Sequence, residues 1–198
     1  MHDVFQLITS GMKFSWDPEE ITKAFKVIID EQGNVISLSS QEAHWQYFDS
    51  GIYFSRNFNI KFSHYCREVA NELTQIQNTL RQLDNNSKLV DIFLNHNIIA
   101  DNVLLIKVLA GTNVDLHFDR TRSHSINIGL KNSNTCLTHV YSGALVVDTF
   151  IDEKNIKHTY QMNDGDAYII ATCQPHCVES LINRNENKDR YIISYCLE

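Results

Sequence analysis

The spacing of hydrophobic residues changes near residue 100 and divides the chain of 198 residues into two parts. Between Phe62 and Leu83, apolar side chains recur every three or four positions, which predicts an amphipathic helix over Lys61–Leu83. A polar stretch interrupts this pattern, and a shorter helix is predicted over Lys88–Asn95. Beyond Asp101, short apolar runs are separated by Gly, Asn, Ser and Asp, which is typical of strands joined by turns.

The second half of the chain contains nine stretches with the composition of β-strands. No helical crossover separates them, which excludes a parallel α/β sheet and favours an antiparallel sandwich or barrel. The first stretch is apolar on both faces, as expected of a central strand. The predicted strands are Val103–Leu109, Val114–Asp119, His124–Leu130, Cys136–Tyr141, Ala144–Ile151, Ile156–Met162, Ala167–Ala171, His176–Ile182 and Arg190–Leu197.

The first hundred residues predict mixed helical and irregular structure. An Asp-Pro pair at residues 17–18 is typical of a helix start, and this helix is predicted to continue through Ile29 and end before Gly33. A short strand is predicted over Val35–Leu38. Residues 40–59 are aromatic and polar without a clear period, and they are predicted to form an ordered loop region.

Length and composition favour one globular domain, in which residues 1–99 form an α-rich support region and residues 100–198 form the β core. The net charge of −7 argues against an extended nucleic-acid interface and against binding to an anionic membrane surface. No apolar run has the length that a membrane span requires, and the N-terminus lacks the pattern of a signal peptide.

The cysteine pattern favours reduced thiols. Five cysteines are present, an odd number, and none forms a C-x-x-C pair, so the expected location is cytoplasmic. Cys173 and Cys177 flank His176 and raise the possibility of zinc. Their spacing in a strand-and-turn context is not that of a zinc knuckle, so zinc is the weaker interpretation.

One predicted strand carries two potential metal ligands on the same face. His117 and Asp119 are two residues apart, and alternate residues of a strand share a face. His176 lies near the end of the β-rich half, and Arg190 opens the last strand on the same face as Ser194. In a closed antiparallel roll these strands can lie side by side. The alternation assigns a polar face to Asn113, Asp115, His117 and Asp119, and an apolar face to Val114, Leu116 and Phe118.

Two imidazoles and one carboxylate are the ligand set of non-haem Fe(II) oxygenases, which leave further positions on the metal open. His117, Asp119 and His176 provide such a set. The guanidinium of Arg190 could then bind the far carboxylate of a 2-oxo acid co-substrate through paired hydrogen bonds. The alternatives are a surface His beside a solvated Asp, and a surface ion pair between Arg190 and a carboxylate such as Asp189.

Several segments of the second half resemble Fe(II)/2-oxoglutarate-dependent oxygenases. His117–Leu130 is similar to the HxD strand and the strand that follows it in this superfamily. Asn163–Ile170, leading to Pro175–Val178 and then to Arg190–Ser194, is similar to the segments that carry the second His and the Arg. The resemblance is greatest to the prolyl and aspartyl/asparaginyl hydroxylase-like branch, and it covers about residues 100–198.

The resemblance implies a mainly β fold with helices, namely a double-stranded β-helix (jelly roll) with N-terminal helices packed on it. It implies Fe(II) as the metal, with 2-oxoglutarate and O₂ as co-substrates. It assigns His117, Asp119 and His176 as metal ligands and catalytic residues. Halogenating relatives lack the carboxylate, so the presence of Asp119 favours hydroxylation or demethylation.

The resemblance also implies contacts to 2-oxoglutarate. Arg190 is expected to bind the distal carboxylate, and Ser194 and Asn127 are further candidates for co-substrate binding. The separation between His176 and Arg190 is long for this family, which leaves Arg184 as a rival for the same role.

Other assignments remain open at this stage. Arg120 and Arg122 follow the HxD residues and are expected to lie in a solvated loop. The substrate is expected to be a peptidyl residue or a small metabolite, and no oligomeric state is predicted. Two alternative functions are a jelly-roll binding module, in which the three ligand-type residues are incidental, and a cupin-like metalloenzyme that does not use 2-oxoglutarate.

Overall fold

The computed structural model describes most of the β-rich half and separate segments of the N-terminal half. The described residues are 4–13, 27–29, 35–38, 46–49, 51–56, 60–83, 87–119, 121–143 and 155–197.

These residues form thirteen strands and two α-helices. In the N-terminal half the elements are β1 (Phe5–Thr9), β2 (Val27–Ile29), β3 (Val35–Leu38), β4 (Gln46–Asp49), β5 (Ile52–Ser55), α1 (Ile60–Leu80) and α2 (Lys88–Asn95). In the second half they are β6 (Val103–Val108), β7 (Val114–His117), β8 (His124–Lys131), β9 (Cys136–Ser142), β10 (Ile156–Gln161), β11 (Ala167–Ile170), β12 (His176–Ser180) and β13 (Arg190–Leu197).

The eight strands β6 to β13 form a double-stranded β-helix. Strands β6, β8, β11 and β13 lie in one sheet in the order β11-β8-β13-β6, and strands β7, β9, β10 and β12 lie in a second sheet in the order β10-β9-β12-β7. All pairings within these sheets are antiparallel. Two four-stranded antiparallel sheets with this connectivity define a jelly roll. The predicted fold class is therefore confirmed.

Strands from the N-terminal half enlarge the first sheet of the roll. Its full order is β1-β11-β8-β13-β6-β5-β4, so β1 extends one edge, and β5 and β4 extend the other. Strands β2 and β3 form a separate two-stranded sheet. We call the enlarged sheet of seven strands the major sheet and the sheet of four strands the minor sheet.

The two helices pack with the major sheet in one hydrophobic core. Leu73 of α1 and Phe93 of α2 are fully buried there, together with the alternate apolar residues Ile193 and Tyr195 of β13. The hydroxyl of Tyr195 donates a hydrogen bond of 2.7 Å to the backbone carbonyl of Cys66 in α1. Truncating a buried side chain of this kind costs about 2–5 kcal/mol, so the helices contribute substantially to the stability of this sheet.

Eight of the nine predicted strands and both predicted helices of residues 61–95 are present. The ninth predicted strand, Ala144–Ile151, lies outside the described residues. The first helix ends at Leu80, and the predicted continuation to Leu83 is a turn. Among the described residues, no helix combines the length and the apolar composition that a bilayer-spanning segment requires.

Two predictions for the N-terminal half are wrong. The helix predicted to continue through Ile29 is a strand at Val27–Ile29, which pairs with Val35–Leu38. Its three β-branched residues favour a strand, and pairing with β3 supplies the backbone hydrogen bonds. The start of that helix, near residue 17, lies outside the described residues. The loop region predicted for residues 40–59 contains β4 and β5, because β5 pairs with β6 of the roll.

Candidate metal centre

His117 and His176 lie directly opposite each other on neighbouring strands of the minor sheet. They are a cross-strand pair of β7 and β12, and their ring centroids are 4.3 Å apart. Asp119 follows β7 by two residues, and its backbone N–H donates to the carbonyl of Thr172 at 2.9 Å. One ligand atom from each of the three side chains lies within 4.8 Å of the others, so the three residues can share one metal ion.

A β-bulge in β7 changes which side chains accompany His117. His176 pairs with His117 but Val178 pairs with Val114, so three residues of β7 span two of β12. Val114 therefore lines the same cavity as His117, and Asp115 is exposed. The prediction that simple alternation separates Val114 from His117 is wrong, because the extra residue reverses the alternation upstream of the bulge. Asn113 accepts a hydrogen bond from the backbone N–H of Ser180 instead of lining the cavity.

The two imidazoles are oriented with the same nitrogen directed at the backbone. Nδ1 of His117 lies 2.7 Å from the carbonyl oxygen of Asp115, and Nδ1 of His176 lies 2.9 Å from that of Gln174. Each contact is a hydrogen bond when Nδ1 carries the ring proton. The lone pair of each Nε2 is then free for a metal, which is the tautomer that backbone acceptors select in metal sites.

His176 is held in the neutral form that a metal ligand requires. Burial lowers the pKa of His176 to about 4, and the neighbouring His117 acts in the same direction. At neutral pH no proton therefore has to leave this ring before Nε2 can bind a metal.

Arg122 contacts the candidate ligand Asp119 and is not in a solvated loop, which corrects the expectation for this residue. Its Nε donates to Oδ2 of Asp119 at 2.6 Å, and a terminal nitrogen donates to Oγ of Ser194 at 3.2 Å. Burial is the largest influence and lowers the pKa of Arg122, but the Asp119 carboxylate more than offsets it, so the pKa is raised overall. Arg120 lies outside the described residues.

The three ligand-type residues open into a cavity of about 330 Å³ between the two sheets. Much of its wall on the major-sheet side is apolar, because alternate residues of β5, β6 and β13 face away from the helices. These apolar residues are Ile52, Phe54, Leu104, Ile106, Val108 and Ile192. Such a wall lowers the polarity of the space beside the candidate metal centre.

Arg190 lines this cavity as a buried cation. It is 3% exposed, and its Nε has no hydrogen-bond partner. Burial is the main cause that lowers the pKa of Arg190. None of the ion pairs found among the described residues includes Arg190. A buried charge is ordinarily paired, so this guanidinium is suited to an anionic ligand that enters the cavity.

The remaining candidates for co-substrate binding differ in their positions. Asn127 lines the cavity and pairs in register with Ser194, whose hydroxyl accepts the hydrogen bond from Arg122. Arg184 is exposed in a short 3₁₀ turn and lines a different cavity. Of the two arginines that the sequence left open, Arg190 is therefore the one that shares a cavity with the His-Asp-His cluster.

Sequence reasoning missed several residues of the cavity. Arg122 and the hydroxyl-bearing pair Thr138 and Tyr160 line it, and the β5 segment adds Phe54 and the exposed Arg56. The only available signal for Arg122 was its position three residues after Asp119, which does not by itself predict an ion pair outside a helix. A zinc site that uses Cys173 and Cys177 gains no support, because the cluster of potential ligands among the described residues contains neither cysteine.

The fold and the site define a double-stranded β-helix protein with a His-Asp-His candidate metal centre. No family model and no curated protein matches this chain. Among solved structures, a cupin domain from Bordetella pertussis is similar at 10% identity, covering 48% of this chain and 79% of that one, with a TM-score of 0.34. Drosophila melanogaster CENP-C is similar at 9% identity, covering 81% and 83%, with a TM-score of 0.40.

A third similar structure is Bacillus subtilis oxalate decarboxylase, a protein with Mn(II) centres, at 17% identity and a TM-score of 0.32. The match covers 46% of this chain and 20% of that one. This chain spans less than half the length of several such structures, for example 47% of peruvianin-I and 22% of a Solanum melongena vicilin. With TM-scores this low, nothing about the chemistry of this chain follows from these likenesses.

Proposed function

We propose that this protein is an Fe(II)- and 2-oxoglutarate-dependent oxygenase that hydroxylates a peptidyl residue or a small metabolite. The observation that carries the proposal is the buried guanidinium of Arg190, whose Nε lacks a partner, in the same cavity as the His-Asp-His cluster. A metal cluster alone would fit many jelly-roll proteins. A His-Asp-His cluster together with a buried cation that forms no ion pair among the described residues fits a ligand that chelates the metal and carries a second, distant carboxylate.

The donor set of the cluster suits Fe(II). Two neutral imidazole nitrogens and one carboxylate oxygen form the 2-His-1-carboxylate arrangement, which leaves open positions for a chelating co-substrate and for O₂. When bound, iron would couple the oxidative decarboxylation of 2-oxoglutarate to succinate and CO₂ with the oxidation of a substrate C–H bond. A halide ligand would need the coordination position that the carboxylate of Asp119 would take. The presence of Asp119 therefore supports hydroxylation over halogenation.

The residues of the chain would bind and orient the two organic molecules. Arg190 would form a charge-assisted hydrogen-bonded pair with the distal carboxylate of 2-oxoglutarate, and the apolar wall around Ile106 and Ile192 would keep water from weakening it. Thr138 and Tyr160 line the same cavity and offer hydroxyl donors. The β5 segment, with Phe54 at the cavity wall, would contact the substrate.

A metal-free alternative has one observation in its favour. The ion pair between Asp119 and Arg122 already satisfies the carboxylate, as in a jelly roll whose three ligand-type residues serve only structure. The orientation of both imidazoles favours metal binding instead, because each Nδ1 lies at a backbone carbonyl, which leaves the Nε2 of each ring for a metal.

The proposal is tested by adding Fe(II) and 2-oxoglutarate to the protein in the absence of oxygen. We expect a weak visible charge-transfer band, which arises when a 2-oxo acid chelates ferrous iron through its keto and carboxylate oxygens. The matched control replaces 2-oxoglutarate with glutarate, which has both carboxylates but no keto oxygen and should give no band.

The other outcomes separate the alternatives. Iron binding without the band would contradict the use of 2-oxoglutarate and favour a cupin-like metalloenzyme. The absence of iron binding would favour a binding module.

A further inference from the structure

Arg122 connects the candidate metal ligand Asp119 to the opposite sheet. Its Nε donates to Oδ2 of Asp119, while a terminal nitrogen donates to Oγ of Ser194 and contacts Sγ of Cys196 at 3.6 Å, both on β13 of the major sheet. The backbone at Arg122 is also held in place, because the hydroxyl of Thr172 donates a hydrogen bond of 3.3 Å to the carbonyl of Arg122. One partly buried side chain therefore joins the end of β7 to the strand that begins at Arg190.

This contact leaves the two carboxylate oxygens of Asp119 in different environments. Oδ2 accepts the charge-assisted hydrogen bond of 2.6 Å from Arg122. Oδ1 lies on the side of His117, 4.0 Å from its Nε2. A carboxylate can in general bind a metal through one oxygen or both. Here a guanidinium occupies one of them.

We propose that Arg122 is a positioning residue that restricts Asp119 to metal binding through Oδ1 and so keeps a coordination position open for a chelating 2-oxo acid. The inference rests on the proposed function, because it assumes a metal at the His-Asp-His cluster. An octahedral ion bound by two imidazoles and one carboxylate oxygen retains enough open positions for a chelate and O₂ together. A second carboxylate oxygen would take one of these positions.

Because Arg122 is positively charged, its removal should affect metal binding and 2-oxo acid binding differently. Partners that increase the basicity of a ligand strengthen metal binding, and their loss weakens it. Arg122 does the opposite, because a cation beside the carboxylate draws negative charge away from the metal and repels the metal as well. Its removal should therefore leave metal affinity equal or greater while weakening the 2-oxo acid chelate. General structural damage would weaken both.

The experiment compares Arg122→Gln with the wild-type protein and with Arg56→Gln, using Co(II) as an air-stable probe of the metal site. Arg56 lines the same cavity but makes no ion pair with Asp119 among the described contacts, so its loss removes one positive charge without freeing the carboxylate. For Arg122→Gln we expect Co(II) affinity no lower than that of wild type. We expect the affinity of the Co(II)-loaded protein for 2-oxoglutarate to fall by about tenfold or more.

The visible spectrum of Co(II) adds a readout that depends on coordination. We expect it to change in Arg122→Gln but not in Arg56→Gln, because only the first variant frees Oδ2 to bind the metal. Arg122→Lys keeps the positive charge without the planar fork and should fall between wild type and Arg122→Gln in 2-oxoglutarate affinity. Circular dichroism of the metal-free variants checks folding, and if Arg122→Gln does not fold, Arg122→Lys provides the comparison.

Three results would overturn the inference. The first is a parallel loss of Co(II) and 2-oxoglutarate binding in folded Arg122→Gln, the second is no change in either, and the third is an equal effect of Arg56→Gln. In each of these cases the proposed function survives if wild type binds Co(II) and 2-oxoglutarate. Failure of wild type to bind Co(II) would instead refute the proposed metal centre and this inference together.

Discussion

Replacing His176 with alanine is expected to abolish Fe(II) binding and, with it, 2-oxoglutarate-dependent succinate formation. His176 supplies one of the three potential ligand atoms, and its Nδ1 lies at a backbone carbonyl, which leaves Nε2 for the metal. Burial lowers the pKa of His176 to about 4, so the ring is neutral. Loss of a residue that only hydrogen-bonds to a metal ligand lowers metal affinity by up to about 100-fold. Loss of a ligand itself should therefore lower Fe(II) affinity by more than about 100-fold. The affinity is measured by competition with a chromophoric chelator under argon, and turnover by succinate release.

The matched control for this variant is His64→Ala. His64 is an exposed histidine on α1 whose ring pairs with Glu68, so its removal should leave Fe(II) affinity within about twofold of wild type, as for most surface substitutions. His117→Ala should behave like His176→Ala, because the two rings face each other across β7 and β12. Unchanged Fe(II) binding in both cavity variants would show that the metal binds elsewhere.

Replacing Arg190 with alanine is expected to remove 2-oxoglutarate binding while leaving Fe(II) binding intact. The guanidinium is 3% exposed and has no carboxylate partner among the ion pairs of the described residues, so the distal carboxylate of the co-substrate would be its counter-ion. Truncating one member of a buried charge pair costs about 2–5 kcal/mol, which corresponds to a loss of affinity of roughly 30-fold to several thousandfold.

Two further variants sharpen the test of Arg190. Arg184→Ala should bind 2-oxoglutarate like wild type, because Arg184 is exposed and lines a different cavity. Arg190→Lys should recover only part of the affinity, because an ammonium cannot form the paired hydrogen bonds of a guanidinium. Isothermal titration of 2-oxoglutarate into the Fe(II)-loaded proteins under argon provides the comparison. Loss of binding in Arg184→Ala with retention in Arg190→Ala would reverse the assignment.

The strands of the roll could be predicted because their sequence signals are local. Each strand from β6 to β13 is a short apolar or alternating run bounded by turn residues, and both helices of residues 60–95 have a clear period. Strands β4 and β5 could not be predicted, because β5 becomes a strand by pairing with β6, which lies many residues later in the chain. Strand β4 in turn pairs with β5. Val27–Ile29 is a strand where the local pattern suggested a helix, because it pairs with β3 in a separate two-stranded sheet.

The grouping of His117, Asp119 and His176 could be anticipated from residue type and chain order, but the details of the site could not. One extra residue in β7 brings Val114 to the cavity and sends Asp115 outward, and no alternation pattern signals a bulge. The position of Arg122 could not be predicted either, because its contacts are with Ser194 and Cys196 of a strand about 70 residues away.

The proposed metal centre is best tested by a crystal structure from crystals that are grown without oxygen in the presence of Fe(II) and 2-oxoglutarate. We expect one iron ion about 2 Å from Nε2 of His117, Nε2 of His176 and one oxygen of Asp119. We also expect 2-oxoglutarate bound to that ion with its distal carboxylate at Arg190. Iron bound outside this cavity would refute the proposed metal centre. Iron in the site with 2-oxoglutarate absent from Arg190 would refute the proposed co-substrate.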